Sequence, residues 1–275
     1  MVGKLIIVGT PIGNLSDISQ RAKDTLNNVD FIAAEDTRVT LKLLRYLGIK
    51  KPMISYFEHN KYQKGEFICE KILNGQTCAL VSDAGMPAIS DPGEELVSMC
   101  AEKNIQVSVV PGPSALTAAL AVSGLPTGRF TFEGFLSVNK KSRKEHLLQL
   151  KFEPRTMIFY EAPHKLYRTL CDLNIEIGDR KIAIVREISK IYEEVIRTTL
   201  REACARYENE KVKGEIVLVV DGYKNTNKEI YTLEEAVNLA KEVIDNGSSA
   251  SEAAKEASKV TGIKKSDIYQ LIVRK

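Results

Sequence analysis

Two stretches combine residue types that can do chemistry with a place where chemistry is commonly done. In AEDTR (34–38), Glu35 and Asp36 are adjacent carboxylates, and the guanidinium of Arg38 lies two residues on. In VSDAGMPAISDPG (81–93), an apolar run stops at Asp83; two glycines, two prolines and a second carboxylate, Asp91, follow within ten residues. A carboxylate at a strand end can accept a proton, bind sugar hydroxyls or face a cation, and an arginine can hold a phosphate. Gly85 lacks a Cβ and lets a ligand approach the backbone; Pro87 and Pro92 stiffen the loop. Simpler roles compete. Asp36 is a good N-cap for a following helix, which leaves Glu35 and Arg38 unexplained. Asp91 and Pro92 read as a helix start with proline in the first turn. VVPGPSALTAAL (109–120) repeats the theme: Pro111-Gly112-Pro113 is a rigid turn, Ser114 a cap, and Ala115, Ala118, Ala119 and Ala121 permit close packing.

These loops need elements to hold them. Apolar runs at 4–10, 30–36, 77–83 and 106–112 alternate with helical patterns at 17–29, 37–48, 93–104 and 114–124, with Gly48 as a C-cap. Continuous apolar strands separated by helices imply βαβ units and a buried, mostly parallel sheet, whose ligands sit at the carboxyl ends of the strands. The second half reads differently. Strand candidates at 129–136, 156–162, 181–188, 193–200 and 214–222 have fewer helices between them, and 181–188 with 193–200 reads as an antiparallel pair. A mixed second sheet follows, with SGLPTG (123–128) as the boundary. The last fifty residues carry three short helical patterns at 232–244, 249–262 and 264–273, with Ser249 and Glu252 set as a capping box. They have a helix-turn-helix look, or form a small helical tail. The expected domains are 1–124, 125–223 and 224–275.

Composition narrows the classes. With 44% hydrophobic and 27% charged residues in 275, the chain reads as a soluble globular protein, and no apolar stretch reaches the roughly 20 residues of a membrane helix. The N-terminal apolar run passes into a Gly/Pro loop and reads as a strand, not a signal peptide. Five widely spaced cysteines, with no CxxC, suggest neither zinc nor a disulfide framework, and fit a reduced cytoplasmic compartment. A net charge of +3 does not by itself imply nucleic acid. Basic clusters at 140–146 and 262–275 could hold RNA or simply face solvent.

VGTPIGNLSD (8–17) is no GxGxxG, and no GxxxxGK[ST] is present, so neither a Rossmann pyrophosphate loop nor a P-loop is expected. Carboxylates, backbone groups and small residues do not suit a triphosphate. They suit a nucleoside-like ligand whose tail is polar but not strongly anionic.

The ordered motifs VGTPIGN, AEDTR, LVSDAGMPAISDPG, VVPGPSAL, FEGFL, MIFYEAPH and GEIVLVV, spread over residues 4–222, resemble the ribosomal small subunit methyltransferase I family. These are 16S rRNA cytidine 2'-O-methyltransferases of the tetrapyrrole methylase superfamily. The resemblance implies two α/β domains of the tetrapyrrole methylase type with S-adenosyl-L-methionine between them, a small C-terminal helical domain, a homodimer, and 16S rRNA or the small ribosomal subunit as partner. It places Pro11, Ile12, Asp83, Met86, Ser114 and Ala115 on the cofactor from one side, and Glu161, Ala162, Arg186, Glu187 and Glu215 from the other. Glu35 and Asp36 become candidates for the base that deprotonates the acceptor hydroxyl, with Arg38 on a phosphate. Lys140, Lys141, Arg143 and Lys144 are expected to grip RNA, helped by Lys264, Lys265 and Arg274. His59 is a further candidate base that reads more readily as a surface-loop residue, and His164 reads as a helix-start residue without proton-transfer duty. No metal or membrane is expected. Two other readings stand beside this one: a methylase of a tetrapyrrole small molecule, and a non-enzymatic RNA-binding module.

Overall fold

A computed structural model of the chain describes residues 2–224 and 231–273. Five strands form the first sheet: β1 (Lys4–Val8), β2 (Phe31–Ala34), β3 (Met53–Ser55), β4 (Cys78–Val81) and β5 (Gln106–Val110). They lie in the order β3-β2-β4-β1-β5, and every pairing is parallel. Period-two alternation buries both faces. Leu5, Ile7, Phe31, Ala33 and Leu80 pack on one side with Ile68, Ile72 and Leu96 from α3 (Lys61–Leu73) and α4 (Glu94–Glu102). Ile6, Val8, Ile32, Ala34 and Val81 pack on the other with Ala22, Leu26 and Leu44 from α1 (Gln20–Asn28) and α2 (Thr37–Leu47). With helices on both faces, the inner strands β1, β2 and β4 are shielded from water, which is why they read as unbroken apolar runs. The short β3 gave no such signal: all three of its residues are only half-buried at the sheet edge.

The second sheet is mixed. It contains β6 (Phe130–Phe135), β7 (Thr156–Glu161), β8 (Lys181–Arg186), β9 (Glu194–Thr199) and β10 (Ile216–Val220), in the order β6-β7-β10-β8-β9. Only β6 and β7 run parallel; β8 and β9 are the expected antiparallel pair. One face carries α7 (Leu166–Ile177) and α8 (Leu200–Tyr207), through Leu170, Leu173, Leu200 and Ala203. The other receives Leu116, Ala119 and Leu120 of α5 (Ala115–Ser123), a helix that follows the last strand of the first sheet. α5 therefore starts at one sheet and covers the other. Truncating Leu116 or Leu120, both buried, costs about 2–5 kcal/mol, so α5 is held firmly on the second sheet.

Two local readings are corrected. Asp91 and Pro92 do not start a helix: α4 begins at Glu94 behind Gly93, whose φ of 145° suits glycine. Ser114 holds the N-cap position of α5 but makes no side-chain cap bond. The cysteine reading is also revised. Cys171 of α7 and Cys204 of α8 form a disulfide with Cα atoms 5.4 Å apart, because two neighbouring helices bring together residues 33 apart in sequence. Cys69, Cys78 and Cys100 are free and buried.

Residues 1–223 form one compact unit and 224–275 another. In the second, α9 (Leu233–Asp245), α10 (Ala250–Thr261) and α11 (Lys265–Val273) close on Ala236, Ala240, Ala253, Ala257 and Ile268. Capping boxes at Thr232/Glu235 and Ser249/Glu252 start α9 and α10. Among the described residues, no helix is long and apolar enough to cross a membrane. Arg274 lies outside the described residues.

Candidate active site

The loops after β1, β4 and β5 meet at the carboxyl ends of the strands. Thr10 and Gly85 exchange both backbone hydrogen bonds, at 2.8 and 3.1 Å, which locks the first loop to the 81–93 loop. Gly9 and Gly112 touch backbone to backbone: a Cβ on Gly9 would sit 2.6 Å from the Gly112 Cα. No side chain fits there, so both positions require glycine. Met86 Sδ closes the junction, accepting from Gly112 N–H at 3.3 Å.

Against this junction lies a cavity of about 330 Å³, completed by the second sheet. From the first side come Ile12, Gly85, Met86, Ser114 and Ala115; from the second come Glu161, Ala162, Glu215 and Ile216. Seven of the residues expected to bind the cofactor therefore line one cavity: Ile12, Met86, Ser114, Ala115, Glu161, Ala162 and Glu215. Pro11, Asp83, Arg186 and Glu187 do not line it. Arg186 is turned to Glu194, 2.9 Å away. Glu187 accepts from Lys190 Nζ at 2.8 Å and from Glu215 N at 2.9 Å, and that lysine holds its carboxyl below the usual range. Both shape the rim.

Lining residues not anticipated include Asp91, Ile89, Phe135, Tyr160 and Ile188. Tyr160 and Phe135 stand edge to face, with centroids 5.6 Å apart. Asp91 reaches the cavity because the loop turns back on itself, with Ala88 and Ser90 at φ of 67° and 61°. Such left-handed backbone is costly for non-glycine residues and tends to persist where it aims a functional group. Burial, with Glu35 and Asp83 nearby, pushes the Asp91 carboxyl up to about 6.

The acids at the ends of β2 and β4 are interlaced. Asp36 N–H donates to Asp83 Oδ1 at 3.1 Å, and Asp83 N–H donates to Glu35 Oε2 at 3.3 Å. Burial raises both the Glu35 and the Asp83 carboxyl. Asp36 behaves oppositely. Its carboxylate caps α2 through Arg38 N–H at 2.8 Å and takes the Arg38 side chain on both oxygens, which lowers it to about 2. Asp36 is thus a poor proton acceptor, and Arg38 is committed to it, although 87% of the arginine side chain is exposed. This pairing weighs against Asp36 and in favour of Glu35 as the base.

Of the expected RNA contacts, Lys140, Lys141 and Lys144 are exposed on α6 (Lys140–Gln149). Arg143 is not. It is 6% exposed, facing inward with Leu147, and its Nε donates to Asp172 at 2.7 Å. Its guanidinium is taken by Asp172 and Thr169 and is not held out to solvent as the three lysines are, which departs from that expectation. His59 is exposed beside Phe57, and His164 is exposed in the turn before α7.

A pair of α/β sheets with a cavity at strand ends defines a class, and the comparisons agree with it. The family model for tetrapyrrole (corrin/porphyrin) methylases matches residues 4–204. The uroporphyrin-III C-methyltransferase of Thermus thermophilus, solved with S-adenyl homocysteine, has a TM-score of 0.57 at 17% identity, over 79% of this chain and 97% of that one. A likeness at that identity speaks for the fold alone. The ribosomal RNA small subunit methyltransferase I of Synechocystis sp. is 44% identical over 98% of this chain and 97% of its own length. Its namesake in Thermotoga maritima is 50% identical over 80% of this chain and 99% of its own length. The chain belongs to the tetrapyrrole methylase family, in the branch of the ribosomal RNA small subunit methyltransferase I proteins.

Proposed function

We infer that this chain transfers a methyl group from S-adenosyl-L-methionine to the ribosomal RNA of the small subunit, onto the ribose 2'-hydroxyl of a cytidine. The observation that carries the reading is the charge of the cavity. Among the described residues, its charged lining consists of Asp91, Glu161 and Glu215, with no lysine or arginine. Such a lining repels a nucleoside polyphosphate and suits a nucleoside bearing a sulfonium. The volume, the apolar Ile12, Met86 and Ile216, and the aromatic Phe135 and Tyr160 suit the adenosine body. Bound there, the cofactor supplies an electrophilic methyl carbon.

The protein's own part is to orient, exclude water and remove a proton. The acceptor oxygen must be held in line at about 3 Å, and such positioning can account for much of the acceleration. Asp91 and Glu35 are the proton acceptors that fit, because burial raises both and no cation pairs with either among the described residues. Lys140, Lys141 and Lys144 supply a phosphate-holding face whose affinity falls with salt. The exposed Phe130, Val138 and Ile191 leave apolar surface for a second copy of the chain. A cytoplasmic setting follows from a ribosomal substrate.

The test uses purified protein, cofactor labelled on its methyl group, and isolated small subunits, with a porphyrinoid in a parallel reaction. Label recovered in a ribose-methylated cytidine after nuclease digestion supports the reading. Label on a base, on the porphyrinoid, or nowhere, overturns it.

A further inference from the structure

The buried Arg143 belongs to a line of hydrogen bonds that ends in the cavity. Its Nη2 donates to Thr169 Oγ1 at 2.8 Å. Thr169 Oγ1 is hydrogen-bonded to Glu161 Oε2, and the other oxygen of Glu161 accepts from Ala162 N–H at 2.8 Å. Glu161 lines the cavity and is 5% exposed; Thr169 is 1% exposed. At the far end, Asp172 takes Arg143 Nε at 2.7 Å and has Arg168 Nε at 3.7 Å. The line therefore joins α6, α7 and the end of β7.

The direction of the line is fixed by chemistry. A guanidinium has donors and no acceptor, so Thr169 must accept from Arg143. A hydroxyl has one proton, and with Arg143 on its lone pair that proton is directed to Glu161. Glu161 then has one donor on each oxygen and is held in one rotamer at the cavity wall. A buried carboxylate is expensive unless hydrogen-bonded and paired. Fold stability alone gives no reason to keep it, since buried ion networks can often be replaced by apolar groups without loss.

We propose that Arg143 and Thr169 are positioning residues for the methyl-donor cofactor, orienting the Glu161 carboxylate that contacts it. This rests on the reading that the cavity takes S-adenosylmethionine. It also gives the one inward arginine of a basic helix a role separate from RNA.

The test is calorimetric titration of S-adenosylhomocysteine into the intact protein, with the small-subunit affinity and its salt dependence measured alongside. Thr169→Val keeps shape and removes the hydroxyl; Thr169→Ser keeps the hydroxyl. We expect Thr169→Val to bind the cofactor product roughly tenfold or more weakly, as for loss of a hydrogen bond to a charged group. Thr169→Ser should bind within about threefold of the parent, and Arg143→Met should lose as much as Thr169→Val. The double variant should lose little more than either alone, because the two act in series. In turnover, KM for the cofactor should rise more than kcat falls, and the salt slope for the small subunit should stay unchanged in all of them. Equal binding by Thr169→Val and parent, or equal loss in the valine and serine variants, overturns the proposal. A salt slope that drops in Arg143→Met overturns the separation from RNA. A parent that binds no S-adenosylhomocysteine overturns the reading beneath it instead.

Discussion

The two sheets' sides of the site treat their acids in opposite ways. On the first sheet's side, Glu35, Asp83 and Asp91 crowd together, are raised by burial, and have no cation on their carboxylates among the described residues. On the second sheet's side, Glu187 is held by Lys190, Glu215 by the same lysine at 2.9 Å, and Glu161 by Thr169 and the Ala162 N–H. Burial raises the acids of the first side, while side-chain donors, Lys190 and Thr169, fix those of the second. The contrast assigns proton chemistry to the parallel sheet and ligand placement to the mixed one. Asp36, on the first side, is the instructive exception, because one arginine suffices to move it to the other class.

The sharpest way to break this contrast is to neutralise one acid on each side. Asp91→Asn should lower the single-turnover methyl-transfer rate at saturating cofactor by about 10²–10⁴-fold, the usual contribution of a positioned base. The parent rate should rise with pH through about 6 and then level, as Asp91 loses its proton. Glu187→Gln, on the opposite side, should leave that rate within about fivefold. If Glu187→Gln is the slower enzyme, the assignment of the sides is reversed.

Of intermediate size is the effect on the RNA face. Lys140→Ala with Lys144→Ala should reduce the salt slope of small-subunit binding by about 0.7 for each lysine that had neutralised a phosphate. Deleting residues 224–275 and repeating the titration apportions the grip between α6 and the terminal helices. A slope that vanishes with the deletion and ignores the lysines would move the RNA site to the terminal unit.

The smallest effect is on stability. A carboxyl whose pKa is raised in the folded state binds its proton more tightly folded than unfolded, so stability falls as pH rises from about 4 to 6 and stays lower above. Asp91→Asn removes that penalty. Its melting temperature should exceed the parent's above pH 6, and the difference should disappear below pH 4. A variant less stable than the parent at pH 7.5 would mean that Asp91 is held by favourable contacts and is not a desolvated acid.

Much of this was readable beforehand, for reasons that can be named. The three inner strands of the first sheet, β1, β2 and β4, are buried on both faces, so each reads as an apolar run whose end marks a functional loop. The paired 181–188 and 193–200 runs announced the antiparallel edge. Gly48 terminates α2 in the left-handed region, as its position suggested. What stayed hidden depended on contacts between distant segments. Asp91 looked like a helix start because a proline follows it; only the backbone turn at Ala88 and Ser90 swings it into the cavity. Tyr160 and Phe135 line the cavity because β6 and β7 pair in parallel, a register no local pattern contains. Arg143 did carry a local signal. With Leu147 and Leu150 it falls at i, i+4 and i+7, an inward helical face inside a run that looks merely basic. Arg186 and Glu187 stood at a strand end like the others, and their diversion to Glu194 and Lys190 shows that such a position is not sufficient for a site.

The central claim is an acid-lined cavity that holds a sulfonium nucleoside, and binding tests it most directly. Titration of S-adenosylhomocysteine into the intact protein should show one site per chain, displaced by S-adenosylmethionine and weakened roughly tenfold or more by Glu161→Gln. Absence of binding, or binding untouched by Glu161→Gln and by a bulky side chain at Ala115 alike, would contradict it.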